Sequence, residues 1–520
     1  MRNLCLFAIL FYATTSFAQK ASFAISLDLP LEPKMVFWGH LHSDVTGHYV
    51  LLAKGGTSSS ANNPTRPTLQ KYDRNFKLLY SKEFRLFKGD FGNMLYFGNK
   101  FLFCTEITDN KAKDFACVVR IVDMNGNFSL PQPVGHIEYQ HKSNQPIRAK
   151  WLVSKDTSKF LAALIMDDNA RLRISLNVHD HQLQKIWSKD FILPYKSAQL
   201  INRTWMLANN GQVYLLSKVY KNVLEEEWKI IDGKRQPAFE WKLFHFDPNL
   251  EKVQELSITL TDKIVTDLAF ELNPQNDMIC AGFYADDYNK VIQGIFIKRL
   301  NGQNGTEELV NSQAITQQEM QGFHTQEDQG GNLGLDARFH LNNLLLHDDG
   351  SIIMTAEQAY NNTQFFQSGK YGGGSETTFY NNEILLINIR PDGQIEWVRM
   401  IPKKQEFSNS TAFSGYTLLA NDVSLYFLYN DDADNTNTSF SYSPNKITNF
   451  RNAIAALVTV SSTGKLSRQK VFNAQEDAGA LMVPAAGVQI SPEEVFFVTT
   501  RTRLMDEAQF KMGVIRLNGK

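Results

Sequence analysis

The stretch WGHLHSDVTGH is the sharpest metal candidate in the chain. His40, His42 and Asp44 fall at i, i+2 and i+4, and His48 follows across a turn. On a strand that spacing puts the first three on one face, because side chains alternate with period two. Two imidazoles and a carboxylate suit zinc or a similar divalent ion. The competing reading is a strand whose histidines line a polar channel. No resident cofactor is expected beyond a divalent metal at this one place. A second polar stretch, YNDDADNTNTSFSY, carries Asp431, Asp432 and Asp434. Hard oxygen ligands suit calcium, but the spacing is not that of an EF-hand and no bidentate Glu follows at the twelfth position. A solvated polar loop is expected there.

Other residues suggest contact more than chemistry. KYGGGSETTFY joins a glycine-rich bend to aromatic residues, Tyr371 among them, and lacks the Gly-Lys-Ser/Thr ending of a phosphate-binding loop. Trp228, beside three glutamates, and the pair Phe365-Phe366 are apolar rings within polar stretches. Such rings meet a protein or sugar partner, or fold back on their own scaffold. There is no Gly-x-Ser-x-Gly elbow, no His-Glu-x-x-His and no paired-cysteine metal knuckle, so no catalytic residue is assigned. Carboxylates are plentiful, and an acid/base pair for glycan cleavage stays open.

The 520 residues are 43% hydrophobic and 21% charged, with a formal net charge of -1. That is the balance of a globular protein without the basic field that draws in nucleic acid. Arg2, the apolar run Leu4–Tyr12 and the small residues Ser16 and Ala18 read as a signal peptide over residues 1–18, with cleavage before Gln19. The expectation is an exported monomer, periplasmic, surface-held or secreted, whose mature chain has no membrane span. Cys104, Cys117 and Cys280 then remain, an odd count that favours buried free thiols over a disulfide framework.

The elements that hold these residues repeat. EILLINIRPDGQIEWVRMI is an alternating apolar run, a Pro-Asp-Gly turn and a second run with Trp397. LRISLNVHDHQLQKIWSKDF has the same layout, and further turns lie at Asn125-Gly126, Asp247-Pro248-Asn249, Asn301-Gly302 and Thr463-Gly464. Asn-Gly and Asp-Gly pairs supply the positive φ angles of tight hairpins. Two more short strands precede most of these hairpins, as at Asn210-Gly211 and Asp349-Gly350. The unit is therefore four antiparallel strands, A to D, which signals a β-propeller, since such a sheet buries its faces only against sister sheets. The chain ends at a C–D turn, one strand short, and SFAISLDLP after the signal peptide supplies that strand. Closing the ring in this way removes open edges. The fold class is all-β, one propeller domain over 19–520, with eight four-stranded blades and seven as the alternative count. The blades fall at about 34–86, 92–134, 149–193, 203–260, 265–312, 338–401, 414–473 and 480–517 plus the N-terminal strand.

A strand, then Asp-x-x-Gly or a variant, then Trp resembles the repeats of quinoprotein-like eight-bladed propellers, with NIRPDGQIEW and NVHDHQLQKIW as the matching stretches. That resemblance implies a group holding both pyrroloquinoline-quinone dehydrogenases and non-catalytic outer-membrane scaffold proteins. The dehydrogenases carry adjacent cysteines, which this chain lacks, so their cofactor is not expected. The long connections are Gly55–Pro67, Lys221–Ala238, Asn361–Thr378, Asp431–Arg451 and Thr316–Ala337, all on one face of the propeller. A rigid scaffold with its variation on one face is a binding surface. The expected function is recognition of a protein or glycan of the cell envelope through that face. The alternative is a polysaccharide hydrolase or lyase with carboxylates at the channel mouth.

Overall fold

The computed structural model describes residues 21–26, 35–54, 65–86, 89–139, 147–168, 171–223, 226–231, 233–287, 291–320, 323, 325–327, 333–368, 372–501 and 509–517. Among them, eight antiparallel sheets with four strands in sequence order follow one another along the chain, apart from the closing strand of the last. Sheet 1 consists of Met35–Asp44, Gly47–Lys54, Thr65–Tyr72 and Leu78–Glu83. Sheets 2 and 3 begin at Asp90–Tyr96 and Arg148–Val153. Sheet 4 consists of Leu200–Leu207, Val213–Tyr220, Phe239–Phe246 and Gln254–Ser257, and sheet 5 begins at Ile264–Leu272. Sheet 6 begins at Phe339–Leu346 and sheet 7 at Thr417–Ala420. Sheet 8 carries Glu494–Arg501 and Gln509–Leu517, and its last strand is Ala21–Ile25 from the other end of the chain.

The reason for this arrangement lies in the two middle strands of each sheet. Gly47–Lys54, Val213–Tyr220 and Met278–Ala285 are buried along nearly their whole length, on both faces. A strand apolar on both faces needs a neighbour on each side. Alternation along the strand divides its residues between them. Tyr49 and Leu51 pack with Phe101 and Phe103 of sheet 2, while Val50 between them packs with Phe496 and Val514 of sheet 8. Similar clusters join sheets 2 and 3, 3 and 4, 4 and 5, 5 and 6, 6 and 7, and 7 and 8. Each sheet is thus sandwiched between two others, and the sequence of contacts returns to its start. This is a β-propeller.

The conspicuous tryptophans belong to these seams. Trp397 is buried between sheets 6 and 7, and its Nε1 donates to the Ser462 carbonyl at 3.1 Å. Trp187 of sheet 3 makes the equivalent bond to the Gly211 carbonyl of sheet 4, also at 3.1 Å. The three described cysteines are free and buried.

First strands of neighbouring sheets touch one another, which places them nearest the axis. They are also irregular. Register shifts fall at Phe37/Gly39, Phe91/Asn93, Ile201/Thr204, Val265/Asp267, Leu341/Asn343 and Gln489/Ser491, in six of the eight first strands. Each bulge bends a strand where strands converge and re-aims the side chain that follows.

The long connections hold more structure than polar composition suggests. Residues 361–368 and 372–378, read from sequence as part of a loop, instead extend two paired strands. These strands, Ile352–Ser368 and Gly372–Ile389, pair throughout, with one shift at Glu357/Ala359. The ribbon beyond sheet 6 is solvated on both faces, so no apolar alternation marks it. In residues 221–238, Trp228–Ile231 pairs with Lys234–Pro237 as a second hairpin. Part of 316–337 forms Thr325–Glu327 and Leu333–Asp336, a small sheet with Val291–Ile292. The connection over 55–64 and the expected signal peptide lie outside the described residues.

Ring closure is measurable. Phe23 lies 5.4 Å from the Phe472 ring, between sheets 7 and 8. Phe23→Ala is expected to lower stability by about 2 kcal/mol, the cost of truncating a half-buried ring. Phe365→Ala, at an exposed hairpin end, is expected to change it by less than about 0.5 kcal/mol. Urea unfolding of both variants checks the difference.

Candidate functional site

The expected metal set does not assemble. The first strand of sheet 1 shifts register between His40 and His42, so they oppose the consecutive residues Val50 and Tyr49. The shift cancels the i, i+2 rule. His40 turns toward sheet 8, 4.5 Å from the Phe496 ring, while His42 stacks on Tyr96 of sheet 2 at 3.6 Å. Asp44 caps the turn instead, its Oδ1 accepting from the Thr46 amide at 2.6 Å and the Gly47 amide at 3.0 Å. His40 and the fully buried His48 both hydrogen-bond Ser43 Oγ, at 2.8 and 2.7 Å. Burial pulls His40 down to about 3 and His48 to about 4. Among the described residues no three His, Cys, Asp or Glu side chains are grouped to hold a metal ion.

The acidic start of the second polar stretch is likewise not a solvated loop, whereas its later residues Asn437, Ser439, Ser441 and Tyr442 are exposed as expected. Asp431 and Asp432 are the buried end of a strand, and of the three aspartates only Asp434 is exposed, in a short 3-10 turn that Asp432 caps. Asp431 accepts from Asn435 Nδ2 at 2.6 Å, and burial raises its carboxyl. It belongs to an ionic seam between sheets 6 and 7. Lys403, buried completely, sits 2.8 Å from Glu357 Oε1 and donates to the Asn381 carbonyl at 2.6 Å and Gln405 Oε1 at 3.0 Å. Trp228 folds back on the core of sheets 4 and 5, with the Arg235 guanidinium 4.2 Å from its ring. Phe365 and Phe366 are 83% and 53% exposed and stand on the ribbon of sheet 6, away from any cluster. Tyr371 lies outside the described residues.

Different residues converge. A cavity of about 430 Å³ opens among sheets 4, 5 and 6, where their first strands meet on the face of the long connections. Bulged first strands supply Thr204, Asp267, His340 and Leu341. The second and third strands of sheet 4 add Lys218 and Trp241, and the connection between those strands adds Glu227. Lys218 is 8% exposed, and its Nζ lies 4.6 Å from the Phe239 ring and 5.3 Å from Trp241. Its nearest carboxylate oxygen, Glu227 Oε1, is 3.8 Å away. Aromatic faces lower the cost of burying this cation without neutralising it.

The rest of the wall is polar and incompletely used. Trp241 Nε1 and Thr266 Oγ1 are buried with no hydrogen-bond partner among the described residues. Such groups cost free energy until a partner arrives. Asp267 Oδ2 accepts from the Leu341 amide at 2.9 Å, tying sheet 5 to sheet 6. Burial raises its carboxyl, against the opposing pull of that amide, Lys218 and His340. The cavity therefore offers a cation, an N–H donor, hydroxyls and a carboxyl that holds its proton more tightly than usual. Sequence reasoning missed it, because Lys218, Trp241 and Asp267 sit on three ordinary-looking strands. The one available signal was Lys218 itself, a charge inside the otherwise apolar run VYLLSKVY.

No family model and no curated protein matches the chain. Solved structures similar to it include the β-propeller domain of the Trilobed protease from Pyrococcus furiosus, at 10% identity and a TM-score of 0.35, covering 86% of this chain and 99% of that one. The Pyrococcus horikoshii acylaminoacyl peptidase gives 10% and 0.37, covering 91% of this chain and 58% of its own length. A Synechocystis apocarotenoid oxygenase gives 10% and 0.35, covering 87% and 93%. At such values none of these carries a functional argument for this chain.

Two outcomes follow from the buried charges. Lys403→Met leaves Glu357 unpaired and is expected to cost about 3 kcal/mol, with Lys403→Met/Glu357→Leu recovering most of it; denaturant melts of both decide. The lowered His40 and His48 make the unfolded chain bind protons first. Stability is therefore expected to hold above pH 6.5 and to fall as pH drops from there toward 4. His48→Gln should flatten that slope in melts recorded across the range.

Proposed function

We propose that this chain is an exported, eight-bladed binding propeller. Its ligand is a polar molecule of the cell envelope carrying an anionic group, such as a sugar acid. The observation that carries this reading is Lys218, a buried cation facing a polar cavity, whose ion pair with Glu227 Oε1 is long, at 3.8 Å. A carboxylate or sulfate placed there gains a charge-assisted bond in a desolvated setting. Trp241 Nε1 and Thr266 Oγ1, buried in the cavity wall with no partner among the described residues, would bond hydroxyls of the same ligand. The mouth of a propeller channel is a concave site held by a rigid ring, as ligand sites require. The composition of residues 1–18 supports export, and the described residues contain no helix long and apolar enough to cross a membrane.

A second reading rests on Asp267. A carboxyl raised by burial, with Glu227 lining the same cavity, fits a general acid for glycosidic cleavage. The two readings separate cleanly. Titration calorimetry with galacturonate is expected to show binding that galactose lacks, and Lys218→Met to weaken it at least tenfold. Equal affinity for acid and neutral sugar overturns the first reading. The second requires turnover of a glycoside that Asp267→Asn reduces by about a hundredfold or more while binding persists.

A further inference from the structure

Trp241 is also among the residues that line a second concavity, a groove of about 620 Å³ beside the hairpin Trp228–Pro237. Lys221, Lys229, Lys234 and Lys263 line it, against one carboxylate among the described residues, Glu240. The hairpin register explains the concentration of charge. Lys229 opposes Gln236 and Ile231 opposes Lys234, so these four side chains share one face, and all four line the groove. The opposite face carries Trp228, which packs on the core and stacks with Arg235. Lys263 is held in place on the far wall, its Nζ 2.9 Å from Ser312 Oγ and 4.0 Å from the Tyr284 ring.

We infer that the groove takes the continuation of the ligand, which is therefore an anionic oligosaccharide with one acidic unit at Lys218 and further acidic units along Lys229, Lys234 and Lys263. This rests on the cavity reading above and extends it from a single sugar acid to a chain. A peptide is the competing occupant, because the strand beneath the groove, Phe239–Phe246, pairs with Gln254–Ser257 only from Lys242 to His245, and the oligoglutamate arm of the test separates the two. Nucleic acid fits less well, since Trp241 is only 4% exposed and offers no stacking platform. A sugar chain needs what is present, namely separate hydroxyls, an N–H donor and spaced cations. Carboxylate and sulfate would both pair with these lysines, and the test tells them apart.

The experiment is titration calorimetry on the full-length mature chain with galacturonate of one to six units, a sulfated galactose oligomer of matched length, and an oligoglutamate. Affinity is expected to rise at least tenfold from monomer to tetramer and then level off, as the groove fills. The gain should shrink between 0.05 and 0.5 M salt. In Lys229→Ser/Lys234→Ser the tetramer-to-monomer ratio should fall toward one, with a thermal melt confirming the fold. A steeper gain with the sulfated series assigns sulfate, and with the uronate series carboxylate. A tetramer that binds no tighter than the monomer overturns the groove and leaves the cavity reading standing. If oligoglutamate binds tighter than either sugar series, the glycan assignment falls. If no monomer or oligomer binds at all, both readings fall together.

Discussion

Burial of the middle strands on both faces is the constraint on which everything else depends. Phe427 faces sheet 6, while Tyr426 and Leu428 on either side of it face sheet 8. No isolated sheet can satisfy such a strand, and a stack of sheets would leave two ends exposed. A ring leaves none. The same demand explains the use of Ala21–Ile25 as the last strand of sheet 8. Without it, Gln509–Leu517 would be an open edge and Phe472 would lose its partner ring.

Ring geometry then decides where polar chemistry can sit. Outer strands have room, but first strands crowd the axis, and the bulges near their starts relieve that crowding. At sheets 4 to 6 the bulges, the inserted hairpin and the small sheet around Leu333–Asp336 enclose a cavity that no single sheet could form. Lys218 and Trp241 are both buried in its wall, and both lie on cross-paired strands of sheet 4. Their opposition, Lys218 across from Trp241, fixes the cation against the aromatic face.

The face of long connections contains two kinds of polar structure. The seam at Glu357 and Lys403 is charge used for cohesion, since those two meet at 2.8 Å, with the buried Asp431 contributing at longer range. The cavity at Lys218 and the groove at Lys229 and Lys234 are charge left available, and that distinction carries the functional reading. The aspartates at 431, 432 and 434 stand out in the sequence as an acidic cluster, yet two of those three are buried and structural.

Much of the architecture was readable because it is periodic. Alternating apolar residues mark strands, Asn-Gly and Asp-Gly pairs mark hairpins, and a lone strand at one end matches a missing one at the other. Those signals are local, so linear sequence determined the all-β class, the four-strand unit and the closing strand. It misjudged whatever depends on register or on distant neighbours. One bulge between His40 and His42 sent two expected ligands into different seams. A ribbon solvated on both faces carried no pattern to mark residues 361–368 and 372–378 as strand. The cavity joins residues from 204 to 341 on three sheets. Only tertiary structure brings them together, because curvature around the axis, and no spacing along the chain, sets which side chains face one another.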